Sequence, residues 1–470
     1  MTTTATRPGA PGGPQSPVRA EPAARRESRS GVAGLLDLPG NAVRSIIRSA
    51  ATTPGRLSVI AVGLALLALL TGIVGTLSVQ DKKDTINGLI DHREPLAAAA
   101  QQVYRSLSDA DATAASAFLS TGTEPPALRQ RYEFDIAQAG AALAKAASDS
   151  AGVAEAAKQV DTLAQQVPVY TGLVETARAN NRQGFPAGAS YLREGSELMR
   201  VKILPAAQEL YGIDTLRLSD EQDGATNFPW GATALVLALL AALVVTQVHL
   251  KRKTNRVLNV GLLVATGAVI VAMLWSLVAL VVQGTLVADG KNHGTHQVDV
   301  LVRARIAALQ ARADETLTLV ARGDGANYEK DFGGLAAQLV GPDGTGGLLA
   351  EVEGLASEPA MTGQLDAAKQ NAAAWLKAHI QVRRFDDSGQ YQEAVNLAID
   401  GSKPDSAAAS FLRLDENLVA AINVGRQEFV DNTRNADSAL TALAPGLAVL
   451  AIIAAAGATI GIRERLREYR

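Results

Sequence analysis

The chain has 470 residues, 47% of them hydrophobic and only 4% aromatic, with no cysteine and a formal net charge of −3. The lack of cysteine excludes a disulfide framework, and so even a charge balance leaves no basic excess of the kind that holds nucleic acid. That balance is an average over stretches of opposite sign.

Residues 1–30 are rich in Pro, Ala, Gly, Thr and Arg with almost nothing apolar to bury, which predicts a disordered tail. In residues 31–56, Leu35, Leu36, Leu38, Val43, Ile46 and Ile47 accompany Arg44 and Arg48. That mixture predicts a basic amphipathic segment lying on the inner leaflet, an unstructured basic tether being the alternative. Four charge-free segments follow, at 57–80, 224–250, 257–288 and 438–462. Each exceeds the ~20 apolar residues that cross a bilayer as a helix, so all four are predicted transmembrane spans. Two polar modules, 81–223 and 289–437, lie within the pairs, a hinge at 251–256 joins the pairs, and residues 463–470 close the chain.

Charge sets the expected orientation. The N-terminal stretch, the hinge and the tail together hold 16 basic and 5 acidic residues, a net of +11, whereas the two modules sum to −14. Basic segments stay on the cytoplasmic side, which predicts a multi-pass cell-membrane protein with both termini cytoplasmic and both modules exported. The first span begins too late and runs too long for a cleavable signal peptide, so it is expected to remain as an anchor.

Both modules are rich in Ala, Leu, Gln, Glu and Arg with little β-branched alternation, a helical signature. In the first, a helix is expected to leave span one and run to Ser120, with breaks at 121–126, 148–152 and 183–186. In the second, breaks fall at 323–325, 341–347 and 401–404 around a helix predicted over 357–387. The fold class expected is therefore all-α: four transmembrane helices carrying two tandem extracytoplasmic four-helix bundles. Local sequence matches between the modules, with Ala110-Asp111 against Ala313-Asp314 and Tyr132-Glu133-Phe134-Asp135 against Tyr328-Glu329-Lys330-Asp331. Such matches point to an internal duplication.

No enzyme constellation emerges, and no cofactor is expected. His293 and His296 have helical i, i+3 spacing but lack a third ligand, and a juxtamembrane surface pair explains them more simply than a metal site. The glycines of 341–347 lack the Gly-Lys-Ser/Thr ending of a phosphate loop. The spans hold no charged side chain, which disfavours ion-coupled transport. Candidate extracytoplasmic contacts are Arg105, Tyr132, Glu133, Asp135, Arg305, Tyr328, Glu329 and Asp331. The repeated Tyr-Glu-x-Asp patch reads either as a docking surface or as the opening turn of a helix, where acids suit the dipole and Tyr covers the core. Arg105 and Arg305 read either as anion contacts or as solvated helix-face charges. Candidate cytoplasmic output residues are Lys251, Arg252, Lys253, Arg256, Arg463, Arg465 and Arg467.

A span, a helical bundle and a second span resemble the sensory half of bacterial chemoreceptors and sensor histidine kinases, without the inner kinase or relay domain. Two fused modules on four spans, a basic N-terminus and an Ala/Gly/Arg-rich composition resemble the GlnX-type membrane proteins of actinobacteria. That resemblance rests on layout, from residue 31 to 470, and implies roles for regions only. It implies that the modules receive an extracytoplasmic amino-acid-binding lipoprotein and that the basic inner segments address a soluble cytoplasmic Ser/Thr kinase. The lipid bilayer is the remaining partner, nucleic acid is not expected, and a homo-oligomer stays open. The alternatives are a cell-envelope scaffold without signalling and a direct small-molecule sensor.

Overall fold

The computed structural model describes residues 53–120, 124–150, 152–254, 259–356 and 358–467. The tail at 1–30, all but the end of the basic segment at 31–56, and Arg256 lie outside the described residues.

Every described element is helical. Helix α1 (Thr53–Gly88) passes through one π-helical turn (Leu89–Arg93) into α2 (Glu94–Leu119). Pro95 explains the wide turn: it has no N–H to give and its ring would strike the carbonyl four residues back. Just before it, the N–H of Glu94 reaches five residues back to Leu89. Helices α3 (Pro126–Ser150), α4 (Ala154–Arg182) and α5 (Ala187–Leu198) follow. A second π turn (Met199–Ile203), again just ahead of a proline, leads into α6 (Leu204–Thr226). Helix α7 (Trp230–Thr254) then returns along the first.

The second half opens in the same way. Helix α8 (Val260–Asp289) runs through a π turn (Gly290–His296) into α9 (Gln297–Val320). Then come α10 (Ala326–Val340), α11 (Gly347–Leu355), α12 (Pro359–Asp387) and α13 (Tyr391–Ile399). Helices α14 (Ala407–Thr441) and α15 (Leu443–Arg467) complete the chain. The short α11 is absent from the sequence reading, which placed a loop at 341–347 and its next helix only from 357. Two boundaries also differ: the second span helix opens at Trp230, after a break at 227–229, and the fourth at Leu443. Pro229 supplies the first break, because the residue before a proline leaves the helical region.

Four helices are long and apolar enough to cross a membrane, and this is a membrane protein. In the ring they form, α1 and α8 each pack against both α7 and α15. Leu66, Leu70, Val245, Val278 and Ile452 point outward, apolar area on a scale that only a lipid environment tolerates. The seam is narrow where α8 crosses α15, because a side-chain carbon on Gly261 would lie 2.5 Å from the carbonyl of Gly457. Asn259 locks the same point: its side chain accepts from Gly261 and Leu262 and donates to the carbonyl of Gly461 at 2.8 Å.

Above the spans the two modules lie side by side, with α2 packed on α9. A single apolar cluster crosses both, from Val103, Leu107 and Tyr170 to Leu301, Leu309 and Trp375. Spans one and three enter this core as unbroken helical runs, Gly55–Leu119 and Val260–Val320.

Candidate sensing interface between the modules

The contact between α2 and α9 mixes apolar packing with buried charge. Gln310 donates to the Tyr104 hydroxyl at 2.8 Å across the two helices. On one side of that bond, Arg305 makes a bidentate pair with Asp415 of α14, at 2.5 and 2.9 Å. Its remaining Nη1 is buried without a hydrogen-bond partner. Arg131 holds Asp109 through one nitrogen, Nη2, which reaches both carboxylate oxygens at 2.8 and 3.0 Å. Between these pairs sits Asp135, buried, with its Oδ2 lacking a donor. Burial, with the Asp109 charge added, pushes its carboxyl up to about 7 against the pull of Arg131, Arg105 and Arg305. Arg105 is pushed down to about 10 by burial and by the like charge of Arg305.

On the other side, the paired positions Asp111 and Asp314 converge on one cation. Asp111 accepts from Ser196 at 2.8 Å and from Tyr170 at 3.2 Å, and burial raises its carboxyl. Arg200, carried on the π turn of the first module, reaches across to Asp314 at 2.6 Å. It also lies 4.9 Å from the centre of the Tyr328 ring. Burial drives Asp314 up to about 7; Arg200 opposes the shift, while Asp331 and Asp111 add to it. One guanidinium thus pairs with Asp314 of the second module and acts through charge on Asp111 of the first.

A third group of charges lies inside the second module. His379 joins Glu315 at 3.0 Å and Glu329 at 3.1 Å, and its ring stacks on Phe332 with centroids 3.7 Å apart. Burial opposes its charge, but the two hydrogen-bonded carboxylates outweigh burial and hold the imidazolium up to about 9. Arg312 pairs with Glu315, and Trp375 donates to it at 3.2 Å. Glu329 and Arg383 border an open cleft of about 730 Å³ that also takes in Thr318, Arg322, Asp386 and Tyr391. In the first module, Arg178 lies over the Tyr132 ring at 4.2 Å and pairs with Glu124 at 3.1 Å.

The sequence-derived candidates separate accordingly. Tyr132, Asp135 and Arg305 are buried, so they offer no docking surface as the chain stands. The sequence shows which residues recur but not which helix will cover them. Arg105, Tyr328 and Glu329 are half-buried, while Glu133 and Asp331 are exposed. Arg105, Asp135 and Arg305 come together with residues that sequence reasoning passed over, above all Asp109, Arg131 and Asp415; Arg200, also passed over, serves the separate Asp314 group. At the opposite end of the molecule, Lys251 and Arg252 are exposed at the end of α7, and Arg463 and Arg467 at the end of α15. Lys253 and Arg465 lie on the same two helices, and the Asn259 bond ties the start of α8 to that end of α15.

A family model described as an actinobacterial sensor domain matches residues 85–223, the first module. No curated protein and no solved structure matches the chain. The domain match and the four spanning helices support a membrane protein with a sensing role.

Proposed function

We propose that this is a non-enzymatic signal relay whose modules receive an extracytoplasmic binding lipoprotein loaded with an amino acid. The state is passed to a cytoplasmic Ser/Thr kinase through the basic ends of the spans. The observation that carries the reading is the pair of unbroken helical runs from spans one and three, which meet at buried charges shared between modules. Any ligand that binds one arrangement of α2 and α9 better than another shifts their relative position. A continuous helix moves at both ends, so that shift reaches the start of α8, which is bonded to the end of α15 through Asn259 and Gly461 and to α7 through Gln247 and Leu262; by these contacts it is passed on to Lys251, Arg252, Arg463, Arg465 and Arg467. The matching π turns at the exits of α1 and α8 support the internal duplication as well.

The test is phosphorylation of the kinase's targets after external amino acid is added, in cells carrying Arg463, Arg465 and Arg467 all changed to Gln. Loss of the response, with membrane insertion retained, is expected. A normal response in this variant and in one with Lys251 and Arg252 changed to Gln, with the intact protein still required, sinks the relay and favours a scaffold. The open cleft beside Arg322 and Arg383 favours a second reading, direct recognition of a small polar solute. Binding of labelled amino acid to the purified chain alone separates the two.

A further inference from the structure

The ring of spans is not packed throughout. Toward the modules it encloses a cavity of about 270 Å³ to which all four helices contribute, α1 through Gly72 and Gly75, α7 through Ala232, α8 through Ala272 and Ser276, and α15 through Leu447. At the ~30 Å³ that a water molecule occupies in the liquid, this is room for about nine methylene-sized groups. Its wall on α1 runs from Ala68 to Lys82, about 21 Å of helix at ~1.5 Å per residue. That exceeds the depth of one leaflet's hydrocarbon, half of roughly 30 Å.

Water is a poor occupant. Of the four hydroxyls on the lining, those of Thr71 and Thr233 give their protons to the carbonyls of Leu67 at 2.7 Å and Pro229 at 3.0 Å, Ser78 and Ser276 are set among apolar groups, and a buried water needs two to four partners. Left empty, the walls forfeit dispersion contact on every side. The mouth differs from the walls. Lys82 lines it beside Phe228, which stands edge-on to the 76% exposed Trp230, an aromatic pair of the kind that marks head-group depth. Lys82 donates to the carbonyl of Ala225 at 2.8 Å, which leaves two of its three protons. Neighbouring Lys83 and Lys291 are paired with Asp437 at 3.4 Å and Asp223 at 2.6 Å, whereas Lys82 has no carboxylate within ion-pair distance among the described residues. Asp81, next along the chain, acts on it through charge alone.

From this length, dryness and single cation at the mouth, we infer that the cavity is a phospholipid site, holding the head-group-proximal half of one acyl chain between the spans and the phosphate at Lys82. The test is native mass spectrometry of the full chain, titrated with phosphatidylglycerol or with diacylglycerol of the same chains. One saturable lipid is expected, with phosphatidylglycerol preferred by about tenfold or more. Ala272→Phe, which fills the cavity, should abolish the saturable site. Lys82→Gln should keep acyl binding and lose the preference. A wild-type chain without a saturable site, or an Ala272→Phe chain that keeps it, overturns the inference. Circular dichroism checks that Ala272→Phe folds, and Ser276→Leu replaces it otherwise. Should neither filled variant fold, an unchanged lipid preference in Lys82→Gln overturns it. The titration requires no kinase or binding protein, so its outcome is independent of the relay.

Discussion

His379 carries its proton through neutral pH because two carboxylates hold it where solvent does not reach. Its folded value near 9 stands above the ordinary 6.5, so between these values the native state binds more protons than the unfolded chain. Its contribution is complete below about 6.5 and is lost as pH rises through about 9. Asp135 has the same sign for a different reason: burial beside Asp109 lifts it from 3.8 to about 7, so stability falls as pH rises across that lower window. Glu315 and Glu329 are held below their ordinary range, although burial opposes it, by Arg312 and His379 for the first and by His379 and Arg383 for the second. Their contribution is present above that range and lost as pH falls. Unfolding midpoints of the intact chain should therefore decline from pH 7 to 9, by roughly 1–3 kcal/mol at the His379 site. His379→Gln should remove that decline, and Asp135→Asn should flatten the one between about pH 4 and 7. Parallel curves for wild type and both variants would contradict the assignment. None of this was legible in the sequence. His379 was one of five scattered histidines, 64 residues from the first of its partners and 50 from the second.

At the scale of elements, the π turns, two at the exits of spans one and three and one inside the first module, are set by small residues and prolines. Prolines follow the π turns at Leu89–Arg93 and Met199–Ile203, but the turn at Gly290–His296 has a packing cause instead. A side-chain carbon on Gly294 would come within 2.7 Å of the Phe429 side chain and 2.9 Å of its backbone, so α14 approaches closely only because nothing projects there. Gly294→Ala should therefore destabilise by roughly 1–3 kcal/mol as the helices are forced apart. At Gly290 the same carbon meets Asn432 at 3.4 Å, and Gly290→Ala should be close to neutral. Thermal midpoints compare the two; equal midpoints would show that this close approach does not set the junction. The helical character of both junctions was readable from composition, whereas a π turn depends on what packs against it.

The whole molecule is two modules around one core, standing on one ring of spans. The orientation we propose, modules outside and basic segments inside, rests on the contrast between +11 in the connecting segments and −14 in the modules. Because the chain lacks cysteine, single thiols report it cleanly. Lys145→Cys and Ser388→Cys, on exposed module positions, should label in intact cells with a membrane-impermeant reagent. Lys251→Cys, exposed at the end of α7, should label only after permeabilisation. The reverse pattern would invert the topology and exclude Lys251 and Arg252 as contacts for a cytoplasmic kinase.

Hydrophobic runs of 24 residues and more without a charge, and helix-forming polar stretches between them, determined the all-α class and the four spans directly. Such signals are local: a bilayer reads length and apolarity, and a helix satisfies its own backbone. Pairing is not local. That Arg305 meets Asp415, that Arg200 crosses from one module to Asp314 in the other, and that four spans leave a cavity beside Gly72 were decided by the tertiary structure. Those contacts depend on which faces of separate helices meet. In a composition so rich in alanine and glycine, many faces are small enough to meet, and only the packed whole selects among them.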